Sequence, residues 1–598
     1  MNDIFSKINE ILKNYSEGNK KRAYINLKKI SKKYPKNEKI LFNLAMMEQD
    51  QGMIDLAKKN YINIIDIYDS FNAKKKLYLI YLNEKDYLNA LKIINSILKN
   101  KSDDYDVLLD KAYINYKTNY IENSIKLSSY VLAKENSNTK AINLIGQCYL
   151  EKNDLKKAES LFLKGLSIES NNVSILNSMG RLYFEMWNLE KAENFYLKAL
   201  DQKKSSYQTL NNIAGFYMET NNSKKALLYY QEALKILPNE PTILNNLSKA
   251  YLSLNKLDEA EKNCLLAIKI KDDDSFKKIL SIIYFRKQNY EKAWKYFDGR
   301  LGLNEFAKKN DSYTLIKTKL LRNKNIIPSK KLLIIREQGV GDEILYGTIY
   351  EDLLNAHNDT IIESDERLIP LFINSFDNKF KNNFFKLGSF SKDPSKLSQF
   401  DQILYAGSLG YYFRNNINKF PKKNYIKIDQ RNIDLGEKNL EICKKKYKIG
   451  LSWKSFKNIY SNQKSLNLND LDDIINLEDI DFINLQYGDV KNEVSEYNNS
   501  SKNQIIDLKN IDLFNDFLKV GSILKNLDLF ITVSNSTAHL AGALGIKTIL
   551  IKPFNQATFH YWNQPTTKTP WYSNVELLER TELNKSNNFR DKILSILN

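Results

Sequence analysis

Three short stretches combine glycines, hydroxyls and charges in ways that could hold an anion or move a proton. The first is REQGVGDE, residues 336–343, where Gly339 and Gly341 flank one residue and Asp342 stands at the start of a helix. Glycines so placed let backbone approach a ligand closely. Asp342 reads two ways, as an N-cap carboxylate or as a general base at a cleft. The stretch does not complete G-x-G-x-x-G, so a dinucleotide fingerprint is not met. The second is GLSWKSFKNIYSNQKSL, residues 450–466, which follows a strand closely with Lys454, Lys457 and Lys464. These cations could neutralise a diphosphate leaving group or simply decorate a loop. The third is VSNSTAHLAGALG, residues 533–545, where Ser534, Asn535, Ser536 and Thr537 precede a helix rich in small residues. Hydroxyls and free N–H groups at a helix start make a phosphate cradle. His539, just inside that helix, reads either as a satisfied structural histidine or as a donor to phosphate or sugar. The only histidines are His357, His539 and His560, and Cys148, Cys264 and Cys443 lie far apart. No metal site and no disulfide framework is expected from them.

The elements that must position these loops alternate in period. A short apolar strand at 332–335 leads into the glycine turn and a helix from Asp342. Residues 359–364 read as a strand, 365–376 as a helix and 401–406 as a strand. The rhythm resumes with a strand at 447–453, a helix at 468–478, a strand and loop at 481–489, and a strand, loop, helix and strand over 528–553. This βαβ texture predicts parallel sheets covered by helices. Two Rossmann-like lobes, 330–435 and 436–598, should face each other across a cleft. Ligands in such sheets bind beyond the carboxyl ends of the strands.

Ahead of these lobes the chain repeats itself. Ala23, Ala57, Ala90, Ser124, Ala158, Ala192, Ala226, Ala260 and Ala293 stand 34 residues apart, with two steps of 33. Gly146, Gly180, Ala214 and Ser248 precede their anchors by twelve residues, and Tyr61, Phe162, Tyr196, Tyr230 and Phe297 follow theirs by four. Each unit predicts two antiparallel helices, with a small residue at their close approach and an aromatic filling the space beside it. Turns such as EKNDLKKA and SLNKLDEA offer Asn or Asp to cap the following helix. The repeats around Ala90 and Ser124 are the most eroded. Nine units over residues 1–300 would stack into a solenoid with a concave groove. Residues 301–329 are polar and poorly periodic and read as a linker.

Composition bounds what remains. In 598 residues, 42% are apolar and 27% charged, which supports real cores and excludes a disordered chain. The formal charge is +19, but only 11 of the 90 basic residues are arginines and the lysines are scattered. A nucleic-acid face is therefore not favoured. The first residues lack the apolar core of a signal peptide, and no run of 18 apolar residues occurs, so a cytoplasmic protein without a transmembrane segment is expected.

The helical period resembles the tetratricopeptide repeat throughout the first half. IREQGVGDEILYG, IIESDERLIPLFINSF, IGLSWKS, INLQYGD and VSNSTAHLAGALG resemble the C-terminal domain of bacterial tetratricopeptide-repeat glycosyltransferase-like proteins. That domain is related to the heptosyltransferases of glycosyltransferase family 9 and has a GT-B architecture. The overall plan is similar to that of the O-GlcNAc transferases. The resemblance implies a TPR solenoid followed by an α/β GT-B fold. It implies metal-independent, inverting transfer of a sugar from a nucleotide-diphosphate sugar, a co-substrate with no bound cofactor beside it, to a protein or peptide held by the solenoid. Asp342 would be the catalytic base. Lys454, Asn535, Ser536, Thr537 and His539 would hold the donor diphosphate, and Gln486 and Asp489 would lie by the nucleoside. Lys464 stands where related proteins often carry arginine, which loses a bidentate clamp. Trp571 and Tyr572 would line the cleft floor or pack the terminal helix. Two alternatives stand beside this reading: an interaction scaffold with a degenerate GT-B domain, and a transferase acting on a cell-surface or lipid-linked glycan.

Overall fold

The computed structural model describes residues 2–302, 313–322, 324–421, 423–456, 464–553, 559–562, 564, 566–583 and 588–597. Lys457 lies outside the described residues. The chain divides into two compact units, Met1–Ile213 and Ala214–Asn598.

Among the described residues, eighteen helices run from Asn2–Ser16 to Tyr290–Phe297 and form nine pairs. The eroded repeats form pairs like the others, Phe71–Asn83 with Tyr87–Asn100 and Tyr105–Lys117 with Ile121–Lys134. Every anchor falls on the second helix of its pair and is buried. The reason for the small residues is explicit in the first unit. A Cβ on Gly146 would sit 2.4 Å from the Phe162 ring, and one on Gly180 would sit 2.7 Å from the Tyr196 ring. The aromatics four residues after the anchors Ala158 and Ala192 therefore pack onto the bare backbone of the partner helix.

The turns inside the pairs obey a second rule. Gly18, Gly52, Lys85, Asn119, Asn153, Trp187, Asn221, Asn255 and Gln288 all have positive φ, and each stands five residues ahead of its anchor. One left-handed residue reverses the chain in every pair, a role open to glycine and asparagine at least cost. In EKNDLKKA, Asn153 takes this position and Asp154 caps the next helix, accepting from the Lys157 N–H at 3.2 Å. In SLNKLDEA, Asn255 is again left-handed, but Lys256 follows it and no side chain caps that helix. Trp187 occupies the same left-handed position and is 58% exposed, so it is a turn residue on the surface and not part of a core.

The second unit carries two parallel sheets. The first contains β1 (Leu332–Ile335), β2 (Thr360–Ser364), β3 (Phe384–Lys386) and β4 (Gln402–Tyr405) in the order β3-β2-β1-β4. The second contains β5 (Tyr447–Ser452), β6 (Ile480–Asn484), β7 (Ile505–Ile506), β8 (Leu529–Val533), β9 (Thr548–Ile551) and β10 (Val575–Leu578), in the order β10-β9-β8-β5-β6-β7. All named pairings are parallel. β1, β4, β8 and β9 are buried throughout, as strands covered on both faces must be. Chain order reverses between β1 and β4 and between β5 and β8, and open sheets leave a ligand crevice at such points. The helix expected over 468–478 is instead a 3-10 turn, Leu468–Leu471, followed by one short turn of α-helix, Asp472–Ile475.

The last repeats and the first sheet share one core, which contains Phe285, Trp294, Leu332, Tyr346 and Trp571. The segment after the final repeat helix is pinned by a buried arginine. The Arg300 guanidinium donates to Glu337 at 2.5 and 2.9 Å, to Asp298 at 2.8 Å and to the Ser408 hydroxyl at 2.9 Å. Glu337 also accepts from the Gly407 N–H at 2.6 Å. Every charge in this network has a partner, which is what makes burial of an ion tolerable. The Trp294 indole donates to the Arg414 carbonyl at 2.8 Å. Further on, Leu320 bridges to Ile403 of β4, so the chain reaches the sheet before β1 begins.

Candidate functional site

The glycine loop leaves the end of β1 at the reversal point of the first sheet. Its charges separate by direction. Arg336 pairs with Glu343 at 2.7 Å and with Asp365 at 2.8 Å, and Glu337 serves the Arg300 network. Gln338 is left-handed, with φ of 62°. Helix α1 (Val340–Gly347) then begins with extended Gly339 as its N-cap. Asp342 turns back to accept from the Gly339 N–H at 3.0 Å, and the Tyr561 hydroxyl donates to its other oxygen at 2.8 Å. Asp342 is thus not the N-cap itself, which is Gly339, but the third residue of the helix, whose side chain closes the first turn; it also lines a cavity. Gly341 is required by a close approach. A Cβ there would lie 2.8 Å from the His539 ring and 3.2 Å from the Ser536 Cα, so a side chain would push the two lobes apart.

On the opposite wall, helix α2 (Ser536–Leu544) starts at the end of β8. Asn535 caps it, accepting from the Ala538 N–H at 3.0 Å and donating to the Ser452 hydroxyl at 2.7 Å. The Gln486 side-chain Oε1 accepts from the Ser452 hydroxyl at 3.0 Å and from the Lys454 N–H at 2.6 Å. Asn535, Ser452 and Gln486 therefore form a buried polar knot that ties the ends of β5, β6 and β8 together. The Lys454 amine pairs with Glu493 at 2.6 Å.

The cavity between the two sheets measures about 380 Å³, within the range of small-molecule sites. It brings together Gly339, Gly341, Asp342, Lys464, Asn535, Ser536 and His539, drawn from all three stretches singled out by their chemistry. Lys454, Thr537, Gln486 and Asp489 are not part of its wall. Trp571 and Tyr572 are buried packing residues: Trp571 meets Phe420 edge-on at 4.9 Å, and Tyr572 covers Gly542. His539 lies against Trp562 at 4.8 Å, with its Nδ1 3.3 Å from the Tyr572 hydroxyl. Burial pushes its imidazole down to about 3, aided by nearby Lys464 and His560, so the ring is neutral. The Lys464 amine stands 4.3 Å from the Phe559 ring centroid.

Among the wall residues that escape a reading of the sequence are Arg367, Phe456, Tyr487, Phe514 and Tyr561. Arg367 lies in the quoted DERLIP stretch, but a helical reading hides it; it stands ahead of the helix Ile369–Ser375 and reaches the cavity. Burial raises the Tyr487 phenol, while hydrogen bonds to the Phe456 backbone, Ser536 and Ser455 oppose the rise. Among the described residues no group of three or more His, Cys, Asp or Glu is arranged to hold a metal ion.

One family model matches part of the helical half. A tetratricopeptide repeat model matches residues 139–172, 173–205, 207–240 and 241–274. The helical part of the chain is a tetratricopeptide-repeat solenoid. The protein FlbA of Caulobacter vibrioides is 26% identical over 264 residues, covering 41% of this chain and 42% of its own length. The chain thus spans less than half of that relative. A tetratricopeptide repeat protein from Parabacteroides merdae is 14% identical, covering 41% of this chain and 98% of its own, with a TM-score of 0.34. A thermophilic TPR protein of Thermus thermophilus is 17% identical, covering 31% and 100%, with a TM-score of 0.29.

Proposed function

We propose that the chain is a protein-binding TPR scaffold joined to a nucleotide-sugar cleft, and that it transfers the sugar to a bound protein or peptide. The binding half rests on the repeats, whose commonest use is to hold polypeptide. The transfer half rests on one observation: the two parallel sheets meet at a cavity holding one carboxylate, Asp342, and two cations, Arg367 and Lys464. Two Rossmann-like lobes about such a cavity fit a GT-B reading. In that reading Asp342 takes the proton of the acceptor hydroxyl. The oxygen attacks the anomeric carbon as the bond to the diphosphate breaks, with inversion. The departing charge is met by Lys464, Arg367 and the start of α2. Lys464 keeps the role that the sequence suggests for it, and Arg367 takes the one suggested for Lys454.

A second reading keeps the scaffold and drops the chemistry. It is favoured by Asp342, both of whose oxygens are already hydrogen-bonded, and by comparisons that identify only the repeats. One pair of measurements separates the two. The full chain should bind at least one of UDP, GDP and ADP, and should transfer label from the matching nucleotide sugar to protein. Asp342→Asn should keep the binding and lose the transfer. Transfer at the wild-type rate by Asp342→Asn sinks the base assignment. No binding of any nucleotide leaves the scaffold reading in possession.

A further inference from the structure

Beyond the repeats, the described large apolar side chains that stay exposed include two aromatics, Phe456 at 45% and Phe514 at 55%. Both line the cavity. An exposed aromatic costs solvation, and two at the mouth of one cleft suggest a surface kept for a partner. Neither ring is loose. Phe456 lies over the turn at Gly488, whose φ is +91°; a Cβ there would come within 2.4 Å of the ring. Gly488 therefore leaves the space that Phe456 fills. Phe514 is held by Arg367, which donates to its carbonyl at 3.1 Å and stands 5.1 Å from its ring centroid. Asp365 fixes the same guanidinium at 2.7 and 2.9 Å. Tyr487 stands between the two phenylalanines, 5.9 Å from Phe456 and 6.0 Å from Phe514, tilted by 55° and 51°. Ser455 and Ser536, the latter at the start of α2, line the same cavity.

We propose that Phe456, Tyr487 and Phe514 form the seat of a planar nucleobase, so that the cleft takes a nucleotide with its base at this cluster and its phosphates toward Ser536. The inference rests on the reading of the cavity as a nucleotide-sugar site and assigns the base to residues that reading leaves unnamed. It moves the base away from Gln486, whose amide is committed to the polar knot, and from Asp489, which is off the wall. Rings already fixed by Gly488 and Arg367 lose little freedom when a base arrives, which favours affinity. Stacking needs a π-face and tolerates any base. The cluster thus demands a base without choosing among them.

Calorimetric titration of the full chain with UDP, GDP, ADP and inorganic pyrophosphate tests this. At least one nucleotide should bind more tightly than pyrophosphate. Phe456→Ala and Phe514→Ala should each weaken that nucleotide roughly 5- to 150-fold, the span of one stacking contact, and leave pyrophosphate affinity unchanged. Phe456→Trp should restore nucleotide binding. Because both rings are exposed, an unchanged melting temperature will show that the variants are folded. Undiminished nucleotide affinity in both alanine variants overturns the platform and spares the phosphate seat. So does a wild-type chain that binds nucleotide and pyrophosphate equally. A chain that binds neither overturns the platform together with the transferase reading.

Discussion

Glycine does different work in the repeats and in the cleft. In the repeats, Gly146 and Gly180 each receive the flat ring of an aromatic from the neighbouring helix, and the same spacing recurs with alanine or serine at Ala45 and Tyr61, Ala214 and Tyr230, and Ser281 and Phe297. In the cleft, Gly341 receives the start of another helix and a histidine, and Gly488 receives Phe456, contacts made once each. A solenoid is stabilised by many copies of one modest contact. The α/β half depends on a few contacts with no substitute. Loss of one should therefore be large in the second unit and graded in the first.

The largest effect expected is at Arg300. Arg300→Met leaves Glu337 and Asp298 buried without their cation, and breaking a buried pair in this way costs about 3–5 kcal/mol. Urea unfolding should show the transition of the second unit shifted by that amount. Hydrogen exchange in residues 2–213 should not change. If the loss is under about 1 kcal/mol, the network is not the anchor described.

Next comes acid. His539 and His560 are both pushed down to about 3, chiefly by burial, against an ordinary 6.5. The unfolded chain therefore binds more protons than the folded one between those values, and stability falls as pH drops through that window. Each ring contributes a slope of about 1.4 kcal/mol per pH unit. Comparing urea midpoints at pH 7 and pH 5 measures this fall less the opposite slope of Glu343, whose carboxyl burial raises to about 7. His560→Phe, which keeps the stack on Phe285 at 4.5 Å, should remove one ring's share, about 1.4 kcal/mol per pH unit. An unaltered slope would mean that His560 is not held neutral.

Smaller still is Gly146→Ala, which forces the Phe162 ring to move and should cost about 1–3 kcal/mol in thermal denaturation. Gly215 offers the contrast. It lies in the helix Tyr207–Glu219, and nothing stands within 4 Å of the place a Cβ would take, so Gly215→Ala should stabilise by about 0.5–1 kcal/mol. If both alanines destabilise alike, close approach does not explain the glycines of the repeats. The smallest effect concerns lysines. Lys157, Lys191, Lys225 and Lys292 each precede their anchor and lie 4.8–5.4 Å over Tyr149, Tyr183, Tyr217 and Tyr284. Lys191→Met should cost about 0.5–1 kcal/mol at low salt. Part of the scattered positive charge thus covers tyrosine faces.

These differences explain what can be read from the residues alone. The repeats are legible because a small anchor residue recurs nine times, so even the eroded pairs at Ala90 and Ser124 are recovered by register. The left-handed turn position is hidden because seven of its nine occupants are not glycine. β1, β5 and β8 are legible as short apolar runs, whereas β3, β7 and β10 lie toward sheet edges and are too short or too mixed to announce themselves. In the cleft, Gly341, Asp342, Ser536 and His539 can be found because each sits shortly after a strand. Tyr561 and Phe514 cannot, because folding alone carries them to Asp342 and Arg367 from distant parts of the chain. Lys454 shows the converse: a well-placed residue in sequence whose amine is drawn to Glu493.

The stack of His560 on Phe285, and of Trp571 edge-on to Trp294, has a consequence for synthesis. The ninth repeat is made long before the segment that completes its core. At ribosomal speeds the interval is on the order of tens of seconds. The early repeats can settle as they emerge, but the ninth must wait with its aromatic face uncovered. The nascent chain thus carries a vulnerable half-built joint throughout translation of both sheets, and a chain truncated before His560 would retain that joint permanently.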